Sequence, residues 1–209
     1  YGDNPEGFQA DGCIGVVGTS TEDVFGCLDV DEDGWSELMD AFPNEFTQHS
    51  DSDGDGFGDA PDGFQADSCP ETAGNSIIDR FGCVDSDSDG WSDSDAGWDI
   101  QNGADAFETD PTQWRDRDFD GYGDNILGNQ PDHCPDSRGY STSDRYGCID
   151  SDGDSYSDAD PGGLNGLDPW FAHPDGLADA FPFEATQWQD TDGDGYGDNW
   201  DDPMWNASH

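Results

Sequence analysis

Six short segments of this chain carry an acidic residue at every second position, a spacing suited to binding a metal ion. Carboxylates occupy positions 1, 3 and 5 of each segment, and five of the six have glycine at position 6. Oxygen ligands at this spacing, with a sharp turn at position 6, are typical of loops that wrap around Ca²⁺. The predicted ligands of the first to sixth loops, in chain order, are Asp29, Asp31 and Asp33; Asp51, Asp53 and Asp55; Asp85, Asp87 and Asp89; Asp116, Asp118 and Asp120; Asp150, Asp152 and Asp154; and Asp190, Asp192 and Asp194.

Positions 7 and 9 extend the predicted ligand set. Position 7 is aromatic in every loop, so its backbone carbonyl would bind the ion while its ring packs elsewhere. The position 7 residues are Trp35, Phe57, Trp91, Tyr122, Tyr156 and Tyr196. Position 9 is acidic in every loop, and its residues are Glu37, Asp59, Asp93, Asp124, Asp158 and Asp198.

A last carboxylate at position 12 is expected to close each loop. Three loops carry one there, namely Asp40, Asp62 and Asp201. In the third and fifth loops an insertion falls at this point, and we expect Asp105 and Asp179 to close them, because both precede Ala-Phe as Asp40 does. The fourth loop has Leu127 at position 12. The pattern predicts at least six Ca²⁺ ions, since Mg²⁺ prefers fewer protein ligands and Zn²⁺ or copper would require histidine or thiolate.

The first residues of the chain align with the second half of such a loop. Asp3 corresponds to position 9 and Glu6 to position 12, while positions 1, 3 and 5 have no counterpart. Two explanations stay open. The chain is a cut from a longer array, or another molecule supplies the missing ligands, which would join copies head to tail into a fibre.

The loops belong to a longer repeat with a fixed pattern of cysteines. The predicted units are 1–56, 57–121 and 122–195, followed by a partial unit at 196–209. The second and third units exceed the first by 9 and 18 residues, all of them in one variable loop that carries Trp98, Trp170 and Phe171. Insertions confined to one loop of a repeat often mark a binding face.

The six cysteines form three pairs, each separated by 14 residues within one unit. No Cys-x₂-Cys or Cys-x₄-Cys spacing typical of structural zinc is present. Pairing within units is the only arrangement that respects the repeat, so the predicted disulfides are Cys13–Cys27, Cys69–Cys83 and Cys134–Cys148. Disulfides indicate an oxidising compartment, and we expect a secreted, extracellular protein.

Composition limits both the fold and the partners. The 209 residues include 51 acidic and five basic ones, for a formal net charge of −46, and only 31% are hydrophobic. Such a chain cannot build a core of ordinary size, and without the regular pattern it would be classed as disordered. The predicted fold is mostly irregular, with little regular secondary structure, a rod-like or solenoid array of calcium-loop repeats stabilised by metal and disulfides. Nucleic acid and anionic membranes would repel the chain, and no segment is apolar enough to insert into a membrane.

The motifs resemble those of thrombospondin type 3 repeats. The similarity is carried by the segment from Asp51 to Asp59 followed by Asp67-Ser-Cys69-Pro70, by Asp132-His-Cys134-Pro135, and by the segment from Asp190 to Asp198. The chain looks closest to the longer tandem versions in secreted proteins of marine microbes. The resemblance implies an irregular chain wound around calcium ions, with disulfides as cross-links and a structural or adhesive role.

Two functions remain open at this point, and neither is enzymatic. No nucleophile motif or phosphate-binding loop is present, and the carboxylates are accounted for by metal. The first prediction is a structural subunit of a cell-surface rod, stalk or fibre that self-associates. The alternative is an adhesin that binds glycans through aromatic residues of the insertions. Asn206-Ala-Ser208 is also a candidate glycosylation sequence.

Overall fold

The computed structural model describes residues 6–163 and 169–199. The chain folds as two compact units, Tyr1–Ala96 and Gly97–His209. The boundary lies inside the insertion of the second sequence repeat, so these units do not coincide with the repeats. The division of the chain into repeat units therefore stays a prediction.

Regular secondary structure is almost absent from the described residues, as the composition predicts. They contain no helix, and their extended pairing is confined to isolated bridges of one residue pair. The bridges within Tyr1–Ala96 include Gly58 with Ala66 and Asp67 with Phe81. Those in the second unit are Gly123 with Pro131, Asp158 with Asp179, Asp160 with Trp170, and Ala172 with Ala178. A mostly irregular, disulfide-linked fold is confirmed, whereas its arrangement as a solenoid stays a prediction.

Three disulfides link the cysteine pairs expected from the repeat. Cys13 bonds Cys27, Cys69 bonds Cys83, and Cys134 bonds Cys148, with the paired Cα atoms 5.0, 5.1 and 5.1 Å apart. The second cysteine of each pair is buried. A closed loop of this size contributes about 3 kcal/mol in the chain-entropy model.

The interior of the described chain is built mainly from polar side chains. The fully buried residues include a serine in each disulfide-closed segment. Ser76 is representative: its hydroxyl accepts the N–H of Cys83 at 3.0 Å and donates to the carbonyl of Arg80 at 2.7 Å. Ser20 and Ser141 make the equivalent bonds. These hydroxyls replace the backbone pairing that a helix or sheet would provide, so the backbone inside the disulfide loop is not left unpartnered.

A buried glutamine fastens the chain before and after three of the metal loops. Gln113 donates to the carbonyls of Asn125 and Asn129 at 3.0 and 3.2 Å, and accepts the N–H of Asn125 at 2.9 Å. Its side chain lies against Gly123, where a Cβ would approach it to 2.1 Å. Gln48 makes the same three bonds before the second loop, and Gln187 makes two of them before the sixth. We call this contact the glutamine clamp; it fixes the path of the chain after the loop.

In the part of the chain that the structure describes, no helix could span a membrane.

Candidate metal centres

All six predicted loops fold around the carboxylate at position 1. In each of them the N–H at position 6 donates to one oxygen of that carboxylate over 2.9–3.2 Å. The N–H at position 4 donates to the other oxygen, as Gly54 does to Asp51 at 2.7 Å. Position 6 has a positive φ throughout, from 84° at Ser155 to 102° at Gly34. The sharp turn explains the glycine at this position, since only glycine adopts that conformation without strain.

The loop geometry brings the predicted ligands together. In five loops, one carboxylate oxygen from each of positions 1, 3 and 5 lies within 4.8 Å of the other two. These groups are Asp29, Asp31 and Asp33; Asp51, Asp53 and Asp55; Asp85, Asp87 and Asp89; Asp116, Asp118 and Asp120; and Asp150, Asp152 and Asp154. Asp190 of the sixth loop makes the same position 1 bonds. Several aspartate groups can therefore hold a metal ion.

Buried carboxylate oxygens without a hydrogen bond test whether a cation fits. At position 5 of the fifth loop, Oδ1 of Asp154 accepts the N–H of Tyr156 at 2.9 Å, while Oδ2 is buried and has no hydrogen-bond partner among the described residues. Asp33 in the first loop and Asp89 in the third repeat this arrangement. Buried polar atoms are nearly always partnered, and an anionic oxygen is the costliest exception. Oxygen-only sites of this kind suit a hard cation such as Ca²⁺.

The structure places a buried carboxylate beside each of two loops that the sequence analysis did not include among the predicted ligands. Asp67 lies beside the second loop, and Asp132 beside the fourth; they are only 7% and 2% exposed. In both, Oδ1 accepts the N–H of the following cysteine at 2.7 Å, and Oδ2 is buried with no hydrogen-bond partner in the described chain. By contrast Asp62 and Leu127, which stand at position 12 of these loops, are exposed. The signal that could have revealed the new pair is the shared Asp-x-Cys-Pro sequence.

Asp40 and Asp179 lie next to the loops that they were expected to close. Asp40 neighbours Asp33 and Asp31 of the first loop, and burial together with these charges raises its pKa. Asp179 is 1% exposed, and its backbone pairs with that of Asp158 of the fifth loop in an isolated β-bridge. Its Oδ2 is buried and has no hydrogen bond in the described structure.

Burial and nearby negative charges raise the pKa values of Asp132 and Asp179 strongly. The pKa of Asp132 is raised to about 7, first because of burial and then because of the charges of Asp120, Asp118 and Asp124. The pKa of Asp179 is also raised to about 7, by burial and by the carboxylates of the fifth loop. Ordinary aspartate ionises at 3.8, so the metal-free site holds its negative charge only at a considerable cost.

The remaining predicted ligands have different environments. Asp105 is 1% exposed and accepts the N–H of Phe107 at 2.7 Å. Asp105 belongs to the compact unit Gly97–His209, whereas the third loop belongs to the compact unit Tyr1–Ala96. Its role as a closing ligand therefore stays a prediction. Glu6 is exposed. Asp3, Asp201 and Asn206 lie outside the described residues.

The residue at position 2 donates a hydrogen bond to the carboxylate at position 9 of the same loop. Ser52 donates its hydroxyl to Asp59 at 2.7 Å, and Ser151 to Asp158 at 2.6 Å. The third and sixth loops share this bond through Ser86 and Thr191. Glu37 of the first loop accepts the N–H of Val30 instead.

The aromatic rings at position 7 pack against rings that come later in the chain, as expected. Trp35 stacks on His49 with ring centroids 4.4 Å apart, and Tyr156 stacks on Trp188 at 5.0 Å. Phe57 and Tyr122 meet Phe81 and Tyr146 at tilted angles. Each of these loops is thereby attached to the segment that precedes the next one.

One aromatic residue expected to be available for contacts is used inside the protein. The ring of Trp170 lies 5.0 Å from the Arg145 guanidinium, and its indole N–H donates to the hydroxyl of Ser157 at 2.9 Å. Its backbone also pairs with Asp160. Trp170 anchors the longest insertion, so its face toward Arg145 cannot stack on a sugar.

Comparison with known proteins gives no match, either to a family model or to a curated protein. The likeness to thrombospondin type 3 repeats rests on the loop motifs alone.

Proposed function

We propose that this chain is an extracellular calcium-binding structural protein whose fold depends on Ca²⁺. The observation that carries the proposal is the recurrence of buried carboxylate oxygens, without hydrogen bonds in the described chain, at positions 5 and at the closing residues of the loops. Asp67 and Asp132 supply the closing oxygens of the second and fourth loops in this proposal. A disulfide in every unit supports an oxidising, extracellular location.

Charge explains why folding and binding would be linked. The chain carries a net −46, and its described interior is mostly polar. When bound, Ca²⁺ supplies the positive charge that the clustered carboxylates lack. Because the closing aspartates approach their loops only in the folded chain, the binding free energy becomes folding free energy. Six divalent ions add 12 positive charges and leave −34, so further cations at the surface are expected.

Calorimetry tests the proposal directly. The full chain is unfolded by heat in Ca²⁺, in Mg²⁺ and in excess chelator at the same ionic strength, with the disulfides intact. We expect a cooperative transition at the highest temperature in Ca²⁺, a much lower transition temperature in Mg²⁺, and the lowest one in chelator. Native mass spectrometry should then count six or more Ca²⁺ ions. A transition that is the same after complete metal removal would refute the proposal.

The structural role needs a separate measurement. We infer that copies of the chain associate into a rod or fibre, on the basis of the tandem recurrence of the calcium loops along the sequence. Electron microscopy of the purified protein in Ca²⁺ should show filaments that disperse in chelator. Particles that remain single chains under both conditions would leave calcium binding intact and remove the fibre from the proposal.

A further inference from the structure

The fourth loop differs from the other five in the side chain at position 2. Four loops have a hydroxyl residue there and the first has Val30, but the fourth has Arg117. In the second loop, Ser52 shows what the usual residue does: its N–H and hydroxyl donate to the two oxygens of Asp59 at 3.2 and 2.7 Å. A hydroxyl orients the position 9 carboxylate and leaves its charge unchanged.

In the fourth loop the same place is taken by a cation. The backbone N–H of Arg117 donates to Oδ1 of Asp124 at 3.3 Å, and Nε of Arg117 lies 3.6 Å from Oδ2 of Asp124. Nε of Arg115 lies 3.7 Å from that oxygen as well. The Asp124 side chain is only 12% exposed, whereas the Arg117 and Arg115 side chains are 45% and 64% exposed, so water partly screens these charges. Two guanidinium groups of the protein therefore already lie next to the position 9 carboxylate of this loop.

The guanidinium of Arg117 also reaches outside the loop. Its NH1 group lies 2.7 Å from Oδ1 of Asp136, two residues after Cys134. One side chain thus joins Asp124 to the disulfide-linked segment that carries the closing residue Asp132. This ion pair links the loop to that segment without any bound ion.

Apart from Arg115, whose counterpart before the second loop is Ser50, the second and fourth loops correspond closely. Gly56 and Gly121 donate to the position 1 carboxylate at 3.0 and 2.9 Å, and a glutamine clamp precedes each loop. A buried aspartate of an Asp-x-Cys-Pro sequence lies beside each of them. The two loops form a natural matched pair for measuring the effect of position 2.

We propose that Arg117 is an internal counter-cation that makes the fourth loop the weakest calcium site among the loops and the last to fill. The inference rests on the proposed calcium binding and adds a graded response to it. A positive charge held near a divalent ion repels it, and the Arg117 guanidinium lies 3.6 Å from Oδ2 of Asp124. At an assumed separation of about 6 Å and the dielectric of water, this repulsion is about 1.4 kcal/mol, which corresponds to about a tenfold loss of affinity. At calcium levels that leave the loop empty, Arg117 holds Asp124 and Asp136 together.

Nuclear magnetic resonance of the full chain can measure the loops separately. The backbone amides of Gly56 and Gly121 at position 6 report the second and fourth loops. We expect the bound-state resonance of Gly121 to reach half intensity at a higher Ca²⁺ concentration than that of Gly56. Substitution R117S should lower the Gly121 midpoint about tenfold and leave Gly56 unchanged.

The reciprocal variant S52R should raise the midpoint of Gly56 by a similar factor. It also serves if R117S fails to fold, since Ser52 is exposed. Substitution R117K keeps the charge and should keep the Gly121 midpoint high, which separates charge from side-chain shape. Unchanged midpoints in R117S, or in S52R, while both glycines still respond to Ca²⁺, would overturn the inference and leave the proposed function standing. Glycine amides that show no response to Ca²⁺ in any variant would instead refute the proposed function.

Discussion

Substitution of Asp67 by asparagine tests which of two aspartates closes the second loop: Asp67, which is buried beside the loop, or Asp62, which stands at position 12. Oδ1 of Asp67 accepts the N–H of Cys69 at 2.7 Å, and asparagine can keep that bond with its carbonyl oxygen. The buried Oδ2, which has no hydrogen bond in the described chain, becomes an uncharged amide group. Size and backbone conformation are preserved, so the variant D67N removes mainly one charge from the second loop.

The expected loss of calcium affinity follows from Coulomb's law. A carboxylate oxygen binds Ca²⁺ at about 2.4 Å, where opposite charges of two and one attract by about 3.5 kcal/mol even at the dielectric of water. Water entering the site offsets part of this energy, so we expect an affinity about 100-fold lower at the second loop. The matched variant D62N removes the same charge from an exposed side chain and should change the affinity by less than about threefold.

In chelator the effect of D67N should have the opposite sign. Burial, and then the charges of Asp55, Asp53 and Asp59, raise the pKa of Asp67 in the folded chain. The ionised carboxylate therefore destabilises the metal-free fold at neutral pH, and the amide removes that cost. The Gly56 resonance measures the affinity, and urea unfolding in chelator measures the stability. If D62N weakens calcium binding and D67N does not, the assignment of Asp67 is wrong.

Three further perturbations test other parts of the structure. In the metal-free chain the pKa values of Asp132 and Asp179 are about 7, above the ordinary 3.8. Between these pH values the folded state therefore binds more protons than the unfolded state, so stability in chelator should fall as pH rises from about 4 to 7. Calcium affinity should rise over the same range. Thermal midpoints in chelator across pH 4 to 8 measure the stability, and a flat profile contradicts the prediction. Substitution Q113A breaks the glutamine clamp and leaves backbone groups unpartnered, which should cost about 3 kcal/mol in urea unfolding, against a negligible change for the exposed control Q101A. Substitution S155G replaces the one serine at position 6, where φ is 84°, and should stabilise the calcium-bound chain by about 1 kcal/mol; a loss of stability would show that the serine side chain is needed.

The loops could be predicted from sequence because their geometry is local. The carboxylate at position 1 is bonded by the N–H at position 6, so all the information lies within one short segment. The alternation of aspartates and the glycine at position 6 report that geometry directly. The within-unit disulfides could be predicted for a similar reason, because the 14-residue spacing recurs with the repeat.

The placement of Asp67 and Asp132 beside the second and fourth loops could not be predicted in this way. A ligand at position 12 requires the chain to continue back toward the ion immediately after the loop. Here Gln48 bonds the backbone of Ala60 and Phe64, which directs the chain along another path before Asp67 arrives. That path is a tertiary property, and the position 12 rule contains nothing about it.

The role of Trp170 also depended on tertiary contacts. Exposure of an aromatic residue in an insertion cannot be judged without knowing what lies beneath it, and here that is Arg145. A clue was present in the repeat: the two units with insertions have Arg80 and Arg145 at equivalent positions, and the unit without one has Val24. The arginine accompanies the insertion that it supports.

The polar interior has a consequence for how the protein responds to temperature. Exposing apolar surface raises the heat capacity on unfolding, and exposing polar surface lowers it. A chain whose buried side chains are largely serine, glutamine and aspartate should therefore unfold with a heat-capacity change well below the usual value of about 12–15 cal/mol/K per residue. Its stability curve is then broad and shallow, and cooling removes little of the stabilisation, because cold weakens the hydrophobic effect that this fold uses least.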